Sequence, residues 1–322
     1  MTKRSSASAT LMLLIASVIW GSAFLAQGKG AEHVGPLTFT GIRFLIGGIF
    51  LLPVIRISDL YKKKRGEFAP LQKQDLKSLF ISGVLCGLVL SCASLLQQAG
   101  MGGLAGIEPT SPGKAGFLTA IYILLVPIIG SFFKKKTPLA FWGCVAVAIV
   151  GFYFLSMTPD SLSVQSGDAL VLASSVAFSI HIILIDRYTS VCDPIKLSCI
   201  QFLTVGIIGT ALMFIFERPS WESLSGAGFA IFYTGLFSCG IAYTFQSVAQ
   251  KHIHPTLATL IMSLESVFAL VTGMIFDFAN NVPTLREGIG SLLIFATVLV
   301  AQLLPAPSDK NSENKETQNE TR

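Results

Sequence analysis

Apolar residues in this chain come in long blocks rather than in the short periodic stretches from which a water-soluble core is built. Ten blocks can be drawn, at residues 9–28, 36–55, 77–99, 112–133, 138–157, 167–186, 194–216, 225–249, 255–276 and 285–304. Each is close to the roughly 20 residues that a helix rising 1.5 Å per residue needs to cross a bilayer core about 30 Å thick. The pattern predicts an all-α integral membrane protein with ten transmembrane helices, numbered here as spans 1 to 10.

Composition agrees with this pattern. Of 322 residues, 52% are hydrophobic and 13% are charged, and the mean hydropathy is +0.67. Soluble domains carry about 25% charged residues, so roughly half the charge that would cover a water-facing surface is missing. A cytosolic enzyme is excluded. The six cysteines show no C-x-x-C spacing, and all but Cys192 fall inside apolar blocks, so they read as small packing residues rather than disulfide or zinc partners. His252 and His254 flank Ile253 in a short loop, and two histidines without a third ligand make no metal site. No motif asks for a cofactor.

The net charge of +5 could suggest a nucleic-acid partner, but Lys62-Lys63-Lys64-Arg65 and Lys134-Lys135-Lys136 border apolar spans, where basic clusters set topology. Eighteen Lys and Arg residues fall on one side of the ten-span arrangement, and four, Lys29, Lys114, Arg218 and Arg286, on the other. The richer side is expected to be cytoplasmic, which places both termini inside and the chain in the cytoplasmic membrane. Span 1 follows Lys3 and Arg4 as a secretory signal would, but it is long and nine spans follow it, so it reads as a retained helix. Residues 305–322 are almost wholly polar and are expected to form a disordered cytoplasmic tail, where the Asn319-Glu320-Thr321 sequon would escape glycosylation.

The first five spans align with the last five. Ala16 to Gly21 lies over Ser174 to Ser179, pairing Trp20 with Phe178, and Arg43-Phe44-Leu45 lies over Gln201-Phe202-Leu203 at the same offset of 158. Ala93 and Gln97 match Ala242 and Gln246 at an offset of 149; Pro112, Ala115, Tyr122 and Gly130 match Pro255, Ala258, Glu265 and Gly273 at 143. Five spans is an odd number, so the second unit enters the membrane from the opposite side. Residues 1–157 and 158–304 therefore read as inverted five-helix repeats around a central cavity. Such a pair offers two near-equivalent packings, one open to each side, as alternating access requires.

The chain resembles the EamA-type transporters of the drug/metabolite transporter superfamily. The resemblance is carried by Ile19-Trp20-Gly21-Ser22-Ala23-Phe24, Arg43-Phe44-Leu45, Ala115-Gly116-Phe117-Leu118-Thr119 through Val126-Pro127, and Ser263-Leu264-Glu265-Ser266-Val267-Phe268-Ala269. It implies a ten-helix carrier that moves amino acids or other small metabolites through a cavity between its two units. Two departures stand out. Ser266 replaces a proline that often follows the glutamate, which argues against a kink there, and the glycine-rich stretch 100–108 is a candidate flap at the outer mouth.

Among candidate substrate-pathway residues, Glu265 lies ten residues after Pro255, about 15 Å into span 9. A carboxyl at that depth costs roughly 2.5 kcal/mol or more unless it faces protein or a hydrated cavity. It lines the cavity, with or without a role in proton coupling, or it is a protonated acid bonded to a neighbouring helix. Tyr122, its aligned mate, is expected to face it, and Trp20 and Phe178 either wall the same cavity or pack. Arg43 either turns inward to hold a carboxylate or reaches to the outer interface. His181 is a proton relay or a neutral hydrogen-bonded ring. Tyr243 and Gln246 share one helical face, and Gln97, Gln201 and Gln246 are explained equally by bonds between helices.

The expected partners are a small-molecule substrate and the lipid bilayer, with no nucleic acid; the sequence sets no oligomeric state. A channel or a membrane-embedded binding or sensor protein is the competing reading. An intramembrane enzyme is disfavoured by the absence of H-E-x-x-H and G-x-S-x-G motifs and by the lack of a second carboxylate at the depth of Glu265.

Overall fold

The computed structural model describes residues 3–66, 72–102, 104–132, 137–156, 165–276 and 284–304. The expected polar tail lies outside them. Every described regular element is helical: α1 (Lys3–Ala31), α2 (Pro36–Lys64), α3 (Lys73–Met101), α4 (Pro112–Ala120), α5 (Tyr122–Phe132), α6 (Leu139–Ser156), α7 (Ser166–Thr189), α8 (Pro194–Phe216), α9 (Trp221–Tyr233), a π-helical segment (Thr234–Tyr243), α10 (Thr244–Gln250), α11 (Pro255–Met262), α12 (Glu265–Phe276) and α13 (Leu285–Leu303). Eight helical stretches are long and apolar enough to cross a membrane. Spans 5 and 10 of the sequence reading form α6 and α13. The apolar part of α6 is shorter, Leu139–Phe154, and α13 opens with Arg286 and Glu287 in its first turn.

Local chemistry explains where the helices begin. Proline occupies the first turn of α2, α4, α8 and α11, where its missing N–H is not needed. Ser111, Asp193 and Ser220 cap α4, α8 and α9 with side-chain oxygens. The N-cap of α2 is Gly35, which has no side chain to offer. Its cap comes instead from Glu217 at the far end of α8, whose carboxylate accepts from the amides of Leu37 (2.8 Å) and Thr38 (2.7 Å) and from the Thr38 hydroxyl (2.6 Å).

Two antiparallel helix pairs, α2 with α8 and α3 with α7, form the centre of the bundle, and α6 packs on α13 to one side. The α2–α8 contact is made backbone to backbone. A Cβ on Gly41 would lie 2.5 Å from the Thr210 nitrogen, and one on Gly209 would lie 2.6 Å from the Gly41 Cα. Its other end carries ion pairs, Lys62 to Asp193 at 2.8 Å and Lys196 to Asp59 at 2.9 Å. Burial would raise the Asp193 carboxyl, but hydrogen bonds from Lys62 and from the Lys196 and Ile195 amides outweigh it and hold the group below the usual carboxylate range.

The bundle's outer surface is apolar: Ile49, Phe80, Phe214, Phe229 and Phe276 are all more than half exposed. Lipid, not water, suits such a surface. The molecule is a multi-pass membrane protein.

Two breaks and one widening depart from the sequence reading. Span 4 stops at Ala120 and restarts at Tyr122, and span 9 stops at Met262 and restarts at Glu265. The interruption in span 9 arises without a proline after the glutamate. Three-residue turns, Leu264 N to Ile261 O (3.2 Å) and Ser266 N to Ser263 O (3.3 Å), tighten the helix there without one. Span 8 widens into the π segment between α9 and α10.

Candidate functional site

Between α1, α2, the broken spans 4 and 9, α7 and the π segment lies a narrow cavity of about 50 Å³, room for no more than a few waters. All eight residues singled out from the sequence, Trp20, Arg43, Tyr122, Phe178, His181, Tyr243, Gln246 and Glu265, line it. So do Phe24, Gln27, Gln97, Thr119, Ile182, Ser238 and Met262.

The breaks in spans 4 and 9 deliver the two residues that meet across the middle. Tyr122 is the first residue of α5 and Glu265 the first of α12, and the Tyr122 hydroxyl donates to Glu265 Oε1 at 3.0 Å. Glu265 is 4% exposed, lines the cavity and accepts a bond from a neighbouring helix. Gly21 lets α1 approach this point: a Cβ there would lie 2.7 Å from the Glu265 carbonyl oxygen.

Arg43 turns inward. It is 2% exposed, donates through Nη1 to Gln27 Oε1 at 2.9 Å, and lies 5.3 and 5.2 Å from the ring centres of Phe39 and Phe44. The alternative in which its side chain reaches the interface is therefore excluded. Gln27 is held in turn by Gln98, whose Nε2 donates to the Gln27 carbonyl at 3.3 Å. His181 Nε2 lies 2.8 Å from Gln201 Oε1, which ties the ring to α8. Gln97 Nε2 donates to Thr119 Oγ1 at 3.0 Å, a bond between helices as anticipated.

Tyr243 sits in an aromatic cluster, edge-on to Trp20 with ring centres 4.9 Å apart and flanked by Phe44, Phe202 and His181. The π segment explains why Ser238 joins it in the lining. With hydrogen bonds spaced five residues apart, Ser238 and Tyr243 share a face that an α-helix would split. Nothing in the sequence signalled that. Gln27 was legible, since it follows Trp20 and Phe24 on one helical stripe.

Three polar atoms of these lining residues, Trp20 Nε1, Arg43 Nε and His181 Nδ1, are buried with no partner among the described residues. The wall thus offers two N–H donors, an imidazole nitrogen, a fixed cation, one carboxyl and flat aromatic faces. Among the aligned pairs, Trp20/Phe178, Gln97/Gln246 and Tyr122/Glu265 contribute both members to the cavity, while Arg43 lines it and its mate Gln201 stands behind His181.

A second polar cluster closes the bundle at the Lys29 end. Lys114 on α4 pairs with Asp168 on α7 at 2.5 Å, both below a tenth exposed, and Asp168 also accepts from Thr110 Oγ1 (2.7 Å) and from the Gln165 amide (2.9 Å). The glycine-rich stretch is fastened to the same place: Gly167 N donates to Glu108 O, and Thr110 N to Gly100 O.

Comparison with known proteins adds the family. The EamA-like transporter family matches residues 7–157 and again 165–302. An uncharacterized transporter of Archaeoglobus fulgidus is 26% identical over 92% of this chain and 86% of its own. The uncharacterized transporter YoaV of Bacillus subtilis is 25% identical over 88% and 93%, and protein PagO of Salmonella typhimurium 21% over 94% and 96%. A solved crystal structure superposes with a TM-score of 0.70 at 19% identity, over 92% of this chain and 99% of that one, so the fold is shared.

Proposed function

The chain belongs to the EamA-like transporter family, and from that premise we propose that it is a secondary transporter of a small amphipathic metabolite, an amino acid first among them. Transport is by alternating access, with Glu265 as the proton-coupling group. One observation carries the reading: a fixed guanidinium and a lone carboxyl line the same buried cavity, and a zwitterion presents the complementary pair. Burying polar atoms unpaired costs about 1 to 3 kcal/mol each, and Arg43 Nε, Trp20 Nε1 and His181 Nδ1 give a bound solute places to recover it.

Alternating access is supported by the pairing of mates across the cavity and by the directions of packing. α1 runs parallel to span 9, since Ser17 bonds to the Ile261 carbonyl and Gly21 meets Glu265; α7 runs parallel to span 4, since Lys114 pairs with Asp168 near both starts. Two inverted five-helix units have that symmetry. A cavity too small for an amino acid must expand when it opens, which suits a carrier better than a channel. The Lys62 end, where α2 finishes on Lys62-Lys63-Lys64-Arg65, is the cytoplasmic one.

Uptake of labelled amino acids into proteoliposomes tests this directly. The parent accumulates substrate when a proton gradient is imposed, and Glu265→Gln loses gradient-driven accumulation while retaining exchange. Equal gradient response in parent and variant removes Glu265 from coupling, and transport confined to simple amines or simple acids removes the zwitterion.

A further inference from the structure

Beyond Gly21, the end of α12 and the start of α9 stand apart, and a groove of about 520 Å³ opens along α1 at the Lys29 end, on the flank not used by the central cavity. Its inner end is shut by a hydrogen bond between the Ser22 and Tyr233 hydroxyls. Its floor is Leu25 and Ala26, and its walls are Phe229 and Phe276, 80% and 72% exposed and continuous with the lipid-facing surface. Such a crevice opens into hydrocarbon, not water. From Ser22 to Glu32, just past the end of α1, it runs about 15 Å, the depth of one leaflet.

At its mouth stand Lys29 and Glu32, one turn apart and both exposed, with no ion pair to either among the described residues. We propose that this groove is a seat for one phospholipid with a zwitterionic headgroup: an acyl chain lies along Leu25 and Ala26, the phosphate meets Lys29, and the headgroup ammonium meets Glu32. Either kind of lipid offers Lys29 the same phosphate, but only a zwitterionic headgroup also brings an ammonium to Glu32, and this selects against an anionic lipid. Because lipid retention is the readout, the proposal stands or falls apart from solute transport.

Native mass spectrometry of the full chain with added dioleoyl phosphatidylethanolamine or dioleoyl phosphatidylglycerol is the test. The parent retains one phosphatidylethanolamine in preference, by roughly fivefold for about 1 kcal/mol at the headgroup. Ala26→Trp, which fills the floor, loses that adduct; Glu32→Gln keeps a lipid but loses the preference; Leu52→Trp, on a lipid-facing site of α2, changes nothing. Lys29→Gln, an exposed change, weakens retention even if Ala26→Trp fails to fold. Equal retention of both lipids by the parent, an adduct that survives Ala26→Trp in folded protein, or equal loss on Leu52→Trp overturns the seat.

Discussion

The two ends of the bundle close by different physics. At the Lys29 end, α4 meets α7 through the buried Lys114–Asp168 pair and the hydrogen bonds around it. In the repeat register the mates of Asp168 and Lys114 are Thr10 and Leu257, and the corresponding contact of α1 with α11 belongs to an apolar cluster with Ala9, Leu13 and Ala258. Removing one partner of a buried ion pair strands the other charge in a low-dielectric site, whereas thinning an apolar contact forfeits only its packing. The two aligned stretches of sequence thus make this contact differently, one through a buried ion pair and one through apolar packing.

The largest expected effect is at the buried ion pair. Asp168→Asn leaves the Lys114 charge buried beside a neutral amide and lowers stability by about 3 to 5 kcal/mol; adding Lys114→Met recovers most of the loss. Thermal melting in detergent measures both, and a single variant as stable as the parent would remove the contrast. At the apolar α1–α11 contact, Leu13→Ala costs about 2 kcal/mol, the packing part alone, because lipid receives a leucine as well as protein does. That loss is indifferent to salt and pH; a salt-dependent loss would mean the contact is misdescribed.

The smallest effect sharpens the contrast between buried and half-exposed pairs at the two ends. The Asp193 carboxyl is held below its ordinary range, so its stabilisation is complete above roughly pH 4 and fades as pH falls through the lower folded value. Asp193→Asn melts lower than the parent near neutrality by under about 1 kcal/mol, less in high salt, and the two curves converge in acid. A gap that widens in acid would reverse the sign.

The helices were legible because apolar runs leave little choice in a bilayer, and the cavity was legible because aligning the halves matched Tyr122 with Glu265 and Trp20 with Phe178. What escaped depends on distant partners or on backbone geometry. Lys114 counted as one of four charges on the poorer side, and Asp168 drew no notice; only folding brings residues 54 apart into one pair. The break before Glu265 has no proline to announce it, and the π segment has no composition of its own.

The Glu217 cap on α2 carries a consequence for biosynthesis. Thr38 and Glu217 lie 179 residues apart, and at about 5 to 20 residues per second the ribosome needs roughly 10 to 40 seconds to bridge them. Through that interval the leading amides of α2 must borrow water or headgroups at the interface. The first turn of α2 thus gains its final partner only once the end of α8 has been made.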